Sequence, residues 1–237
     1  MSSIQTTGTP TGTPTVDDDP FANAALRRFD AGRIALESGR SIDGVVVGYQ
    51  TWGTLNRDAS NAILVEHALT GDAHVVGEKG AGQPTAGWWP GVIGPGRPLD
   101  TDRYFVVAAN VLGGCRGTTG PSSTAPDGRP WGSRFPQVSI RDQVRLEAAL
   151  ADHLGVPSWR LVLGGSMGGM RALEWLGSYP DRCEAVLAIA TTACAQTTAS
   201  TPAQRAPTSW RCCAPAPSRA TGCSARGRSG TPRTGPP

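Results

Sequence analysis

Lysine is almost absent from this 237-residue sequence: Lys79 is the only one among 22 basic residues, and the rest are arginines. The net charge of +3 is too small to indicate a nucleic-acid partner or an anionic membrane surface. No apolar run reaches the roughly 18 residues that a membrane span needs. The first residues also lack the basic-then-apolar order of a secretory signal. We therefore expect a cytoplasmic protein that binds neither nucleic acid nor a membrane.

Paired metal-ligand spacings are also missing. The six cysteines form no Cys-x-x-Cys pair, so we predict no zinc site and no other bound metal. A disulfide framework is not expected in a chain of this length and class. Cys115 lies in a glycine-rich stretch without a strand–turn–helix pattern around it, which favours a structural role over a nucleophilic one.

The most informative stretch of the chain is a Gly-x-Ser-x-Gly motif made by Gly164, Ser166 and Gly168. A short apolar run of strand type precedes it, and helical spacing follows from Met167. This order is typical of a nucleophile elbow, in which the serine sits on a tight turn between strand and helix. The small residues on either side let strand and helix approach each other. The N–H group of Met167 then points at the position of a developing oxyanion.

The flanking patterns predict alternating strands and helices, hence a mostly parallel sheet with helices on both faces. Polar–apolar alternation over residues 33–49 predicts two antiparallel strands that turn near residues 41–44. We predict buried strands at 62–65, 104–109, 161–164 and 183–190, and helices at 140–154 and 167–176.

The helix over residues 140–154 has recognisable ends. Ser139 is a suitable N-cap, Asp142 stands at the capping-box position, and Gly155 follows the last turn. His153, in that last turn, is interpreted as a solvated side chain that faces the helix dipole.

The loop after the strand at 62–65 is expected to supply a second oxyanion donor, and the N–H group of Leu69 is the candidate. His67 and His74 flank it in sequence. We interpret both as histidines that hydrogen-bond loop backbone and shape the floor of a pocket, because neither lies where the catalytic base of this layout belongs.

Two further loops carry bulky or tightly turning residues. Residues 110–138 form a long stretch whose glycines and aromatic residues favour an ordered loop near the site. Residues 87–91 contain two adjacent tryptophans and either wall a pocket or cover the core.

Several blocks together resemble the homoserine O-acetyltransferase family of α/β-hydrolase-fold enzymes. The likeness runs from about residue 21 to about residue 192. The matching blocks are residues 67–72, 87–89, 93–96, 100–101, 110–115, 120–121, 135–136, 140–142 and 164–169.

The resemblance implies transfer of an acetyl group from acetyl-CoA to L-homoserine, a step of methionine biosynthesis. It implies an acetyl-serine intermediate, with Ser166 as the nucleophile and the N–H groups of Leu69 and Met167 as the oxyanion donors. Acetyl-CoA would be a co-substrate, and no cofactor would stay bound. The family also implies a homodimer.

The catalytic partners that the fold requires are missing from this chain. α/β-Hydrolases place their triad in the order Ser, Asp or Glu, His. Here the last histidine is His153, before Ser166, and no acidic residue follows Glu184. We therefore find no triad Asp or His and expect little or no activity.

The end of the chain differs in composition from the rest. Residues 195–237 contain no Leu, Ile, Val, Met, Phe or Tyr, so we expect this segment not to form a packed core. It is either a natural disordered extension or, the explanation we favour, the product of an out-of-frame translation. We divide the chain into a disordered leader (1–20), a partial α/β-hydrolase domain (21–193) and a disordered tail (194–237).

Other functions stay open at the sequence level. A serine esterase or hydrolase, or a succinyltransferase acting on serine or homoserine, would use the same elbow and oxyanion loop. A non-catalytic fragment or binding subunit that keeps the first half of the fold is the alternative from another class.

Overall fold

The computed structural model describes residues 25–80 and 83–193. The predicted leader (1–20) and tail (194–237) lie outside these residues. The strands are β1 (Arg27–Ala35), β2 (Ser41–Trp52), β3 (Ala62–Glu66), β4 (Ile93–Gly94), β5 (Leu99–Asp100), β6 (Phe105–Ala109), β7 (Leu161–Gly165) and β8 (Val186–Ile189), and the helices are α1 (Ile140–Leu154) and α2 (Met167–Ser178). Two short 3-10 helices cover Gly132–Arg134 and Pro180–Arg182.

Six strands form one mixed sheet in the order β1-β2-β6-β3-β7-β8. Strands β6, β3, β7 and β8 run parallel to one another, whereas β1 and β2 are antiparallel additions at one edge. β4 and β5 form a separate two-stranded parallel ladder. The carboxyl ends of β3, β6 and β7 therefore meet at one edge of the sheet, where a ligand site of an α/β protein is expected.

Alternate residues of the central strands build two apolar layers. On one face Leu64, Val107 and Val162 pack with the apolar sides of α1 and α2. On the other face Ile63 and Leu163 pack under residues 73–99. The prediction of helices on both faces is thus met on one face only within the described residues, because a long loop with the β4–β5 ladder covers the second.

The predicted hairpin is present, but its turn was placed wrongly. The chain turns at residues 36–40, where the Leu36 N–H donates to the Arg40 carbonyl at 2.9 Å. Gly44 lies inside β2 with φ +65°, opposite an irregularity of β1 that includes Gly32. The glycine that suggested a turn therefore makes a bulge within the paired strands.

Helix α1 begins and ends as its sequence predicts. The Ser139 side chain accepts from the Asp142 N–H, the Asp142 carboxylate accepts from the Ser139 N–H, and Gly155 adopts the left-handed conformation at the other end. Asp142 also accepts from the Glu37 N–H at 2.8 Å, which ties the hairpin turn to this helix.

Strand β8 is shorter than the predicted strand at 183–190 and is the last strand of the sheet among the described residues. Its Leu187 and Ile189 side chains are exposed on the face that buries Leu163 of β7, the register partner of Leu187.

Within the described residues, no helix is long and apolar enough to cross a membrane.

Candidate active site

Ser166 occupies a strained turn between β7 and α2. Its backbone has φ +55° and ψ −118°, a combination that non-glycine residues rarely adopt. The residue directly precedes the first turn of α2, and it is exposed, while Gly164, Met167 and Gly168 of the motif are buried. The structure thus presents this hydroxyl to solvent at the positive end of a helix, which is the geometry of a nucleophile elbow.

The glycines of the motif are required by the close approach of β3. A Cβ atom on Gly164 would lie 2.6 Å from the Glu66 Cβ, and one on Gly168 would overlap the Glu66 carbonyl oxygen. These contacts explain why small residues stand two positions before and after Ser166. Because glycine has no side chain, the end of β7 and the first turn of α2 can both pack directly on the end of β3.

The chain after β8 supports the other side of the turn. The Ser166 N–H donates to the Ile189 carbonyl at 3.0 Å, and the Thr191 hydroxyl donates to the Ser166 carbonyl at 2.7 Å. A Cβ atom on Gly169 would lie 2.6 Å from the Thr191 Cβ. The elbow therefore packs between the end of β3 on one side and the end of β8 with Thr191 on the other.

The two candidate oxyanion donors lie on the segments that the elbow brings together. Met167 is the first residue of α2, and Leu69 lies in a turn closed by a 2.9 Å bond from the Gly71 N–H to the Ala68 carbonyl. The Leu69 side chain is 72% exposed. Across the described ranges, neither N–H group donates to another atom of the chain. Their role as oxyanion donors stays a prediction.

Behind the elbow lies a buried ionic cluster that sequence reasoning missed. Arg171 of α2 is fully buried and contacts Glu66 at 2.6 Å and Glu147 of α1 at 2.7 Å. It also donates to the His67 carbonyl at 2.8 Å, and Trp175 donates to the second oxygen of Glu147 at 3.0 Å. The cluster joins the end of β3, the loop after it and both helices.

The cluster contains two carboxyl groups and one guanidinium, and this imbalance affects protonation. Burial raises the pKa of Glu66 well above its ordinary value, and the neighbouring Glu147 adds to this rise. Arg171 acts in the opposite direction without cancelling it. Glu66 therefore tends to bind a proton, which leaves the cluster nearer to neutrality in its dry surroundings.

His67 is a structural histidine, as its position in the sequence suggested. Its Nδ1 lies 2.7 Å from the Ala68 carbonyl, and its Nε2 accepts from the Val111 N–H at 3.2 Å. These partners assign the neutral ring with the proton on Nδ1. Burial, with the nearby charge of Arg171, lowers the pKa of His67 to about 3. It is therefore neutral at physiological pH and holds loop backbone.

The other two histidines do not approach the serine through hydrogen bonds. His74 is buried, but its ring nitrogens have no partner among the described residues, so the predicted bonds from its ring to loop backbone are not formed. His153 is exposed at the end of α1 and stacks on Phe29 with ring centroids 4.4 Å apart. Within the described chain, no histidine is hydrogen-bonded to Ser166.

A cavity of about 290 Å³ opens at the carboxyl edge of the sheet beside the elbow loops. Its lining includes Asp72 and His74 after β3, and Asn110, Cys115 and Arg116 after β6. The long loop that begins at residue 110 thus lines a cavity at this edge of the sheet, and its expected place near the catalytic serine stays a prediction. Ser166 is not among the residues that line this cavity.

The two tryptophans of the 87–91 loop cover the core. Trp89 packs against the apolar layer that includes Ile63 and Leu163, and Trp88 stacks on it at 5.6 Å. The Trp88 ring N–H donates to the Asp72 carbonyl at 2.8 Å.

Within the described chain, no group of three or more potential metal ligands comes together.

A signal for the missed cluster is present in the sequence. Glu147 falls on the apolar side of α1, next to Ala148 and one turn after Val144, and Arg171 stands one turn before the buried Trp175. A charged residue on the apolar side of a helix indicates a buried partner of opposite charge. Glu66 gives the same signal at the end of an apolar strand.

Comparison with known proteins agrees with this geometry. A family model described as alpha/beta hydrolase fold matches residues 61–213, which is well over half of the chain. The chain belongs to the alpha/beta hydrolase fold family. This membership confirms the predicted fold class.

Within this family, the chain is similar to enzymes named homoserine O-acetyltransferase. It is 65% identical over 160 residues to the one from Thermobifida fusca, covering 68% of this chain and 42% of that protein. The crystal structure of homoserine O-acetyltransferase from Bacillus anthracis is similar at 34% identity with a TM-score of 0.68, covering 73% of this chain and 48% of that one. The resemblance inferred from the motifs is confirmed.

A solved esterase is also similar to this member of the alpha/beta hydrolase fold family. Esterase E22 is 38% identical with a TM-score of 0.62, covering 68% of this chain and 45% of its own. The chain spans about half the length of the curated relatives it matches.

Proposed function

We propose that this chain carries the acyl-accepting part of a homoserine O-acetyltransferase site. The Ser166 hydroxyl oxygen attacks the thioester carbonyl of acetyl-CoA, and the new O–C bond forms. The C–S bond breaks, and the hydroxyl proton passes to the departing sulfur, so that CoA leaves as the thiol. The hydroxyl of L-homoserine then attacks the acetyl-serine ester. This step yields O-acetyl-homoserine and regenerates the Ser166 hydroxyl.

The observation that carries the proposal is the backbone of Ser166. A positive φ at a non-glycine residue costs roughly 1–3 kcal/mol and persists only where the surrounding structure enforces it. Here β3 packs on one side of the turn, and the hydrogen bonds to Ile189 and Thr191 hold the other. The strain presents the Ser166 hydroxyl at the start of α2. We assign the N–H groups of Leu69 and Met167 as the oxyanion donors that an acyl-transfer site requires.

The substrates come from the relatives. The proteins named homoserine O-acetyltransferase are 53–65% identical to this chain over the part that matches. The described chain contains the elbow and the loop after β3. These two segments would act on the acyl group in the same way for other acyl donors and acceptors. We assign acetyl-CoA as donor and homoserine as acceptor on this likeness.

The proton acceptor for Ser166 is not encoded in the 237 residues, which contain no histidine after His153 and no acidic residue after Glu184. Removal of triad residues in serine hydrolases lowers the rate by about 10⁴- to 10⁶-fold. We therefore propose that this chain alone transfers acetyl groups at a strongly reduced rate.

Turnover measured with the purified chain tests this assignment. We expect O-acetyl-homoserine to form from acetyl-CoA and L-homoserine no faster than with the Ser166→Ala variant. Robust turnover that depends on Ser166 would show that a base is present and would overturn the proposed impairment. Modification of a residue other than Ser166 by an acyl donor would overturn the assigned nucleophile.

Ester hydrolysis is the second candidate function, since esterase E22 resembles the chain in both sequence and structure. Water then takes the place of homoserine as acceptor. The two functions separate when Ser166 is first acetylated with p-nitrophenyl acetate and the loss of the acetyl group is followed with and without L-homoserine or L-serine. Acceleration by homoserine alone supports the transferase, and an unchanged rate supports the esterase.

A further inference from the structure

Arg171 connects the two segments that carry the candidate oxyanion donors. It lies on α2, one turn after Met167, and its guanidinium donates to the His67 carbonyl at 2.8 Å, two residues before Leu69. A single side chain thus links the helix that holds one donor to the loop that holds the other.

The guanidinium is held in one orientation. Its contacts to Glu66 at 2.6 Å and Glu147 at 2.7 Å come from the end of β3 and from α1, and none of its side chain is exposed. Trp175 holds the far oxygen of Glu147 at 3.0 Å. Because guanidinium is planar and its donors have fixed directions, the bond to the His67 carbonyl also has a fixed direction.

Stability alone does not account for this cluster. Removing charges from water costs about as much as their attraction returns, and buried ion pairs are often replaced by apolar residues without loss. Some polar atoms of the cluster, including the Arg171 Nε, also lack a partner among the described residues. The feature that an apolar core cannot supply is the hydrogen bond to the loop carbonyl.

We propose that Arg171 is a positioning residue of the acyl-transfer site. It holds the Leu69 N–H and the Met167 N–H in the relative position at which both can bind one oxyanion. The inference rests on the proposed function, because it assigns Arg171 a role only if those two groups stabilise an oxyanion. Loss of one oxyanion donor costs about 10²- to 10³-fold in rate. A misplacement of about 1 Å can cost about 10²-fold.

The test uses a nucleophile that needs no general base. In a Ser166→Cys variant of the full chain, the nucleophile is a thiol, which ionises far more readily than a serine hydroxyl and therefore reacts without a histidine. Acylation by p-nitrophenyl acetate forms an S–C bond, passes through an oxyanion and releases p-nitrophenolate. Alkylation by iodoacetamide displaces iodide and forms no oxyanion. The ratio of the two rates at residue 166, read by peptide mass mapping, reports oxyanion stabilisation.

The variants compare two arginines that both bridge two carboxylates. Arg171→Lys keeps the buried charge but cannot hold Glu66, Glu147 and the His67 carbonyl together. Arg141→Lys changes a partly exposed arginine that contacts Glu37 in the hairpin turn and Glu174 on α2. We expect Arg171→Lys to lower the acylation-to-alkylation ratio about 10- to 100-fold, while Arg141→Lys leaves it unchanged.

Each outcome separates the inference from the function on which it rests. An Arg171→Lys protein that keeps its far-ultraviolet circular dichroism and the parental ratio overturns the positioning role. If acylation and alkylation fall together, the substitution disturbs the whole elbow, and the specific role is again overturned. If the parent Ser166→Cys chain acylates no faster than a free cysteine of matched ionisation, the oxyanion site is absent and the proposed function fails with the inference.

Discussion

The two sides of the elbow are built differently. On the β3 side, Ser166 and its helix pack against a buried cluster of charged groups and against the backbone at the end of β3. On the β8 side, support comes from two hydrogen bonds, and the strand exposes Leu187 and Ile189. The part of the site that would stabilise an oxyanion therefore lies on the well-packed side. The side towards β8 is the more open one.

The largest expected difference between the two sides comes from Arg171. Replacement by methionine leaves Glu66 and Glu147 buried without a cation, and we expect the free energy of unfolding to fall by about 3–5 kcal/mol. Arg141→Met, at a partly exposed pair of contacts, should cost about 1 kcal/mol or less. Urea unfolding of the two variants measures the difference. Equal losses in the free energy of unfolding would mean that the buried cluster stabilises the fold no more than the partly exposed contacts of Arg141 do.

The register pair Leu163 and Leu187 compares the same residue on the same sheet face. Leu163 of β7 is buried and Leu187 of β8 is 48% exposed. We expect Leu163→Ala to cost about 3 kcal/mol and Leu187→Ala about 0.5 kcal/mol. Thermal or urea unfolding checks both values. A large loss from Leu187→Ala would contradict the account, since it would show that this face is covered in solution.

Two adjacent glycines of α2 probe the backbone packing on each side. A methyl group at Gly168 meets the Glu66 backbone, whereas one at Gly169 meets the Thr191 side chain. We expect Gly168→Ala to cost about 2 kcal/mol and Gly169→Ala about 1 kcal/mol, because a side chain can shift more easily than the backbone of a paired strand.

Gly177→Ala, on the same helix with open space around it, serves as the control for helix propensity. It should stabilise the protein by up to about 1 kcal/mol. If Gly169→Ala proved more costly than Gly168→Ala in the same unfolding series, the assignment of the rigid and the open side would be reversed.

Near neutral pH the smallest effect is the one that concerns protonation of His67 on the β3 side. The pKa of His67 is about 3 in the folded chain against 6.5 for an ordinary histidine, so the unfolded state binds a proton first as pH falls. The stabilisation from neutral His67 is complete above pH 6.5 and is lost between pH 6.5 and 3, with a slope of up to about 1.4 kcal/mol per pH unit.

His67→Gln cannot take up that proton, so its unfolding free energy should depend less on pH in this window. Because Glu66 also binds a proton in the folded state, variant and parent are compared at each pH. His153→Gln, at an exposed surface position, is the control. Parallel pH curves for His67→Gln and the parent would contradict the buried neutral ring.

Local rules predicted much of this structure. The glycine spacing around Ser166 predicted the strand–turn–helix, and Ser139, Asp142 and Gly155 predicted the ends of α1, because both depend on neighbours in sequence. The hairpin turn was misplaced because Gly44 suits a bulge as well as a turn. The cover of the second sheet face and the Arg171 cluster depend on residues far apart in the chain, and sequence spacing carries little information about such contacts.

The most direct test of the account is the response of two backbone amides to a phosphonyl oxygen held on Ser166 in place of the oxyanion. The chain is labelled by prolonged exposure to excess alkyl phosphonofluoridate, because Ser166 without its base reacts slowly. Nuclear magnetic resonance then compares the amide proton shifts of the free and phosphonylated chain. The account predicts a single label, on Ser166, and downfield shifts of the Leu69 and Met167 amide protons as they bind the phosphonyl oxygen. A label on Ser166 that leaves both amides unmoved would contradict it.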